Sequence, residues 1–323
     1  MRYLEEEQAR SNYTGNMTAL EKMVRLNKEL KKENSRLRRR DRAGKILDLL
    51  RKGDFSGLRK EFDSRRQGLD LPLRRDDDPS LIWRSAPDRY FSHEKIAVYT
   101  ACMGTYDNVE EPLICPDNID YYLITDSSPH EKTSQSEGLW KTVRAQEVVP
   151  AEYVSDPVLA NRWCKMHPHQ LFPQYPLSVY LDSNIRIVSD LTALTSAMTG
   201  FPVCMFRHKQ RDCVYEEIHA CLLKKKDTRT SLQRQEGLLR SHGVPEHYGL
   251  LEAPVLVRRH ADPACRDLME TWWDSFLAGS RRDQIALIDA LWKLEISPSL
   301  IGTLGNDVRE CDLFMIMPHA AGS

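Results

Sequence analysis

The run LSVYLDSN (177–184) sets Asp182 and Asn184 two residues apart directly after an apolar stretch. A carboxylate at the exit of a buried strand is costly unless a cation or a hydrogen-bond donor compensates it. Asp182 and Asn184 offer hard oxygen ligands of the kind that Mn or Mg takes, and a divalent ion held there neutralises a diphosphate as a Lewis acid. The spacing is a short signal by itself, so the neighbouring blocks decide its weight.

Upstream lies NRWCKMHPHQLFPQY (161–175). Arg162 and Lys165 are three apart, on one face of a helix, and can aim two cations at a diphosphate; a solvated helix face is the alternative. His167 and His169 flank Pro168 without helical spacing, which suits core or capping roles. The block YTACMGTYD (99–107) ends a strand in a turn around Gly104, where backbone amides can approach a nucleotide along Thr100, Ala101, Gly104, Tyr106 and Asp107. A plain turn explains the glycine equally well, because no Walker or dinucleotide glycine signature occurs. Asp126, ending DYYLITD (120–126), can accept hydrogen bonds from a base or ribose, or can cap a turn.

The block RHKQRDCVYEE (207–217) concentrates charge at another strand end. Arg211, Asp212, Tyr215 and Glu216 suit sugar hydroxyls, and a helix start with local ion pairs is the competing account. His208, Glu252 and Trp273 join them as candidate substrate contacts; of Trp272 and Trp273, one is expected in the core and one on a sugar ring. Asp283 opens an amphipathic helix in SRRDQ (280–284), where the helix dipole favours its charge whatever its role.

These residues need a scaffold that gathers strand ends. The runs KIAVYTA (95–101), DYYLITD (120–126), LSVYLDS (177–183), FPVCMF (201–206) and APVLVRR (253–259) alternate with helical patterns, which predicts an α/β domain with a mostly parallel sheet over residues 94–319. Ligands of such folds bind at the carboxyl edge of the sheet.

Ahead of that domain, Leu20, Asn27 and Asn34 at a and Met23, Leu30 and Leu37 at d describe a short heptad pattern in residues 1–42, predicting a parallel coiled-coil homodimer, with a solvated, highly charged helix lacking a partner as the alternative. A small helical segment (43–64) and a linker rich in Arg, Asp and Pro (65–93) follow. The basic run at 36–42 follows the heptads instead of preceding them, which argues against nucleic-acid binding.

The 323 residues carry 46 Lys and Arg against 47 Asp and Glu, so no global field recruits nucleic acid or an anionic membrane. No apolar run reaches the ~18 residues of a membrane span and no secretory leader is evident, so a cytoplasmic setting is expected, with peripheral association at the inner face of the membrane left open. The eight cysteines lack zinc spacing and are expected reduced and buried.

Taken in order, the blocks at 99–107, 124–126, 161–175, 180–185, 207–217 and 281–284 resemble the glycosyltransferase-like family of plant mucilage-biosynthesis and turgor-regulation proteins, which also occurs in bacteria. The resemblance implies a GT-A-like, Rossmann-type mixed sheet flanked by helices: a nucleotide half joined to an acceptor half. It implies that Asp182 and Asn184, with Ser183 between them, bind Mn or Mg and the diphosphate of a nucleotide sugar, a UDP-sugar being favoured. His319 is then a further metal ligand, and Asp283 with Gln284 an acid–amide pair that contacts donor or acceptor. The implied reaction transfers the sugar to a hydroxyl of a glycan or other acceptor, in bacterial surface polysaccharide or glycoconjugate synthesis. Inversion would need a base such as Asp283 or Glu216. A non-catalytic coiled-coil scaffold with a sugar- or nucleotide-binding domain, and a lipid-amide hydrolase, stand as alternatives; the second lacks a nucleophile elbow or a zinc signature.

Overall fold

A computed structural model describes residues 94–104, 107–126, 138–192, 194 and 202–319. The expected coiled coil, helical segment and linker (1–93), and Tyr106, lie outside the described residues. The chain divides into two units, 1–74 and 75–323, and the sheet and its helices all belong to the second.

The scaffold is a seven-stranded mixed sheet. Its strands are β1 (Ile96–Cys102), β2 (Ile119–Thr125), β3 (Trp140–Arg144), β4 (Leu177–Leu181), β6 (Val203–Arg207), β7 (Leu251–Arg258) and β8 (Gly302–Thr303), in the order β3-β2-β1-β4-β7-β6-β8. A separate ribbon pairs β5 (Ile185–Ile187) with β9 (Phe314–Ile316). The helices are α1 (Ala145–Val148), α2 (Ala151–Val154), α3 (Pro157–Met166), α4 (Pro168–Leu171), α5 (Val214–Leu223), α6 (Arg229–Ser241), α7 (Pro263–Ala278) and α8 (Asp283–Lys293).

The expected α/β class with a mixed, mostly parallel sheet holds. β1 runs parallel to β2 and β4, and β2 to β3, but β7 is antiparallel to both β4 and β6. Apolar composition marks a strand as buried without encoding its direction, so the sequence did not show this reversal.

Every residue of β1 is buried, and its side chains alternate between two cores. Ala97, Tyr99 and Ala101 join the core under the helices, while Ile96 and Val98 join the core under the β5–β9 ribbon. β4 obeys the same rule: Leu177, Val179 and Leu181 face the ribbon side and Tyr180 the helix side. The next residue on the helix side is Asp182.

The helices that shape the site have clear starts. Asp156 caps α3 by accepting from the amides of Val158 (2.9 Å) and Leu159 (3.2 Å), with Pro157 at the first helical position. Asp262 and Pro263 repeat that arrangement for α7. The far end of α3 is fixed by Arg258, which is 0% exposed. It donates to the Lys165 carbonyl (2.6 Å) and the Tyr99 hydroxyl (2.6 Å), and Tyr99 donates to the Cys164 carbonyl (3.0 Å). One buried guanidinium therefore joins β1, β7 and α3.

All eight cysteines are free, Cys115 exposed and the rest buried. Among the described residues no helix is long and apolar enough to cross a membrane.

Replacing Arg258 strands the Lys165 carbonyl and the Tyr99 hydroxyl in the core. Arg258→Leu is expected to lower stability by about 3 kcal/mol, read as a fall in the urea midpoint at unchanged slope. A midpoint equal to wild type would show that these contacts contribute nothing net.

Candidate functional site

The strand order reverses between β1, followed on one side by β2 and β3, and β4 on its other side. Doubly wound sheets leave a crevice at that point, outside the carboxyl ends of the strands. A cavity of about 320 Å³ sits there, within the ordinary size range of ligand pockets. It gathers Ala101, Asp107, Arg162, Asp182, Ser183, Asn184 and His319 from the expected set, and adds Asn161 and Tyr180.

Three chain segments meet in it. The Ser183 hydroxyl donates to Asp107 Oδ2 (2.5 Å), and His319 Nδ1 lies 2.9 Å from Asp107 Oδ1. Asn184 exchanges backbone and side-chain bonds with Met317: the Met317 amide donates to the Asn184 carbonyl (2.7 Å), and Asn184 Nδ2 donates to the Met317 carbonyl (3.4 Å). The β5–β9 pairing delivers the 317–319 segment to this point, beside the loop that comes after β4.

The residues suit a divalent cation in type and place. Asp182, Asn184 and His319 line one cavity, and a carboxylate bonded to one imidazole nitrogen is the arrangement that orients a ligating histidine through its other nitrogen. Among the described residues no three His, Cys, Asp or Glu side chains are grouped to hold a metal ion. The expected set contains only two of those types, with an amide oxygen completing it.

Lys165 is 2% exposed and does not line the cavity, so the cation that faces it is Arg162, correcting the expectation for Lys165. Lys165 Nζ lies 2.6 Å from Asp283 Oδ2 and 3.5 Å from Asp182 Oδ1. Arg162 Nε is 3.4 Å from the same Asp283 oxygen, and its Nη1 donates to Asn161 Oδ1. Asn161 Nδ2 in turn donates to the Ala101 carbonyl (2.6 Å), fastening α3 to β1. Tyr180 donates to Asp182 Oδ1 (3.1 Å).

Burial alone would raise the Asp283 pKa, but Arg162, Lys165 and Arg282 hold it well below the usual carboxylate range. Such a carboxylate is a poor proton acceptor at neutral pH, which counts against Asp283 as the base of an inverting reaction. Its neighbour Gln284 donates Nε2 to the Leu251 carbonyl (2.9 Å), linking α8 to the start of β7.

Other expected residues are placed elsewhere. Thr100 is buried on the face opposite Ala101, as strand alternation requires. Asp126 accepts the Gly104 amide (2.7 Å), closing a turn whose Gly104 has a φ of +66°, so it shapes the β1 exit and does not line the cavity. Trp273 packs against Tyr153, His167 and Phe276, and Trp272 donates to the Asp283 carbonyl. Both tryptophans are core, so the sugar-stacking expectation for Trp273 fails. His167 stacks on Trp163, as a core histidine does.

The 207–217 block divides. Asp212 pairs with His247 at the surface (2.7 Å), and the Tyr215 hydroxyl donates to the Val244 carbonyl (2.6 Å) beneath Arg240. Neither joins the cluster that forms at the ends of β6 and β7, where Arg211 Nη2 lies 2.5 Å from Glu217 Oε2 and His208 Nε2 3.6 Å from Glu252 Oε1. Glu217, not Glu216, takes the inward position. It shares the buried stripe of α5 with Val214, Ile218 and Cys221, and helical phase turns Glu216 about 100° away. Glu252 and His208 are both pushed toward neutrality. Burial, then Asp307, raises Glu252 to about 7, while burial, then Arg211, lowers His208 to about 4.

Residues 84–319 match the family described as TOD1/MUCI70, glycosyltransferase-like domain, which bears out the resemblance seen in the sequence blocks. None of the curated proteins matches the chain. Among solved structures, an apo WbbM bifunctional glycosyltransferase aligns at 12% identity and a TM-score of 0.37, over 65% of this chain and 39% of that one. Mouse xyloside xylosyltransferase 1, also apo, aligns at 12% identity and a TM-score of 0.37, over 65% of this chain and 84% of that one. This chain thus spans about two fifths of the first neighbour's length. Likeness at this level says nothing about the chemistry of this chain.

Glu252 keeps its proton to about pH 7 in the folded chain, against an ordinary 4.5, so the native state binds more protons in that window. Stability from this group is full below about pH 4.5 and is lost as pH rises toward 7 and beyond. Glu252→Gln is expected to flatten the melting temperature against pH across that interval relative to wild type. Parallel pH courses for the two proteins would refute the assignment.

Proposed function

The chain belongs to the TOD1/MUCI70 family of glycosyltransferase-like domains, and from that premise we propose that it transfers a sugar from a nucleoside diphosphate donor to an acceptor hydroxyl at the cavity between β1 and β4. One observation carries the reading: Asp182, Asn184 and His319 share a single cavity with Arg162 at the strand-order reversal.

On this reading Asp182, Asn184 and His319 hold Mn or Mg, which supplies Lewis-acid neutralisation of the leaving diphosphate. Asp107 keeps His319 and Ser183 in place through bonds of 2.9 and 2.5 Å. Arg162 adds a fixed guanidinium on the wall formed by α3, positioned to offset diphosphate charge. The nucleoside lies along the β1 exit, beside Ala101, Cys102 and Met103. The acceptor approaches from the β6–β7 side of the same sheet edge, where His208, Arg211 and Glu252 present polar groups. A UDP-sugar donor, a glycan acceptor and a dimer formed through residues 1–42 complete the proposal, the dimer supported by the heptad at Leu20, Met23, Leu30 and Leu37.

With Mn present, a saturating nucleoside diphosphate at about one hundred times its Kd is expected to raise the melting temperature by about 5 °C. UDP, GDP, ADP and CDP compared side by side identify the base. Asp182→Ala is expected to abolish the Mn-dependent part of the shift while leaving the ligand-free melting temperature within a few degrees of wild type. An undiminished shift in Asp182→Ala would move the site elsewhere, and no Mn-dependent shift in the wild type would overturn the reading.

A further inference from the structure

Lys165 is enclosed by two carboxylates and two aromatic rings without being exposed. Its ammonium sits 2.6 Å from Asp283 Oδ2 and 3.5 Å from Asp182 Oδ1. It lies 5.2 Å from the centre of the Tyr180 ring and 5.9 Å from that of Trp272. The three charged side chains differ sharply in access: Lys165 is 2% exposed, Asp283 9% and Asp182 36%. Only Asp182 opens into the cavity. A cation entering there meets a carboxylate that already has an ammonium beside one oxygen, and that ammonium has a closer partner behind it.

We propose that Lys165 is a positioning residue that serves as the resident counter-ion of Asp182: it holds that carboxylate in place when no divalent cation is bound, and yields it to an incoming cation by withdrawing onto Asp283. The inference rests on the reading that Asp182 helps to hold a divalent ion. Its physical basis is competition. Two cations close to one carboxylate repel each other, so the strength of metal binding depends on how firmly Asp283 draws the ammonium away. A lysine suits this role because its charge is a compact point on a flexible stem that can favour either of two acceptors, whereas the planar fork of an arginine favours a fixed bidentate geometry. Arg162, 3.4 Å from the same Asp283 oxygen, supplements the neutralisation of Asp283 while Lys165 is shared with Asp182.

The test is direct titration of the full chain with Mn²⁺, with bound and free ion separated by the electron paramagnetic resonance signal of free Mn²⁺. Asp283→Asn leaves Lys165 with Asp182 as its carboxylate partner and is expected to weaken Mn²⁺ binding by about fivefold or more. Lys165→Met removes the competitor and is expected to tighten binding by a similar factor. General damage to the site would weaken both variants, an outcome that opposite signs exclude. If Lys165→Met fails to fold because Asp283 has lost its nearest cation, the double variant Lys165→Met/Asp283→Asn carries the test and is expected to bind Mn²⁺ at least as tightly as wild type. Shifts of the same sign in both single variants, no shift in either, or a double variant that binds more weakly than wild type would overturn the inference and leave the cation reading standing. A wild-type chain that binds no Mn²⁺ would overturn that reading, and the inference with it.

Discussion

The site is organised around one buried ammonium. Taking Lys165 and Asp283 out of water costs several kcal/mol per ion, and their attraction offsets this only when the geometry is close and the remaining polar valences are filled. Here the 2.6 Å contact, the second carboxylate of Asp182 and the faces of Tyr180 and Trp272 meet that condition. A buried pair of this kind is weak evidence for stability. Its stronger consequence is positional, because it fixes the exit of β4, the body of α3 and the start of α8 relative to one another. Arg258 reinforces the same junction from beneath by holding the carbonyl of Lys165 itself.

That junction explains why the carboxyl edge of the sheet supports two polar zones of different character. Around Asp182 the charges are kept: Asp283 is held ionised by three cations, and Arg162 faces the cavity beside it. Around Glu252 the picture is mixed: its carboxyl is raised to about 7 and the imidazole of His208 lowered to about 4, beside the ionised Arg211–Glu217 pair. The antiparallel β7 joins the two zones by bringing Glu252 at its start to the edge where β4 ends.

How much the sequence made legible depends on how local each signal is. β1, β2, β4, β6 and β7 declare themselves through apolar runs, and the Asp182–Asn184 pair through its position after one of them. β3 does not, because WKTVR is a partly exposed edge strand with no clean alternation. β5, β8 and β9 have two or three residues each and exist only through long-range pairing. The choice between Glu216 and Glu217 was available in the apolar phase of Val214, Ile218 and Cys221, which Glu217 shares. The burial of Lys165 and of Trp273 was not, because each depends on which helix packs against α3 and α7 in three dimensions.

The least local feature is the one that closes the cavity. Asp107 and His319 are 212 positions apart, and Asp107 and Ser183 are 76 apart. No spacing rule connects them: the Asp107–Ser183 bond needs β1 beside β4, and the Asp107–His319 bond also needs the β5–β9 ribbon that carries residues 317–319 to this point. Ordering contacts of such separation costs loop-closure entropy that local structure does not repay, so the polar bonds around Asp107 depend on the apolar cores formed beneath them. The two cores therefore support the site as well as the fold. The helix-side core presents Tyr180, Asp182 and Lys165 to one another, and the ribbon-side core, through Ile185, Ile187 and Phe314, brings His319 to the same cavity. A substitution that loosens the ribbon would then reach the site through His319 and Asn184 while leaving the Lys165–Asp283 pair untouched, because the two halves of the cavity are held by opposite faces of one sheet.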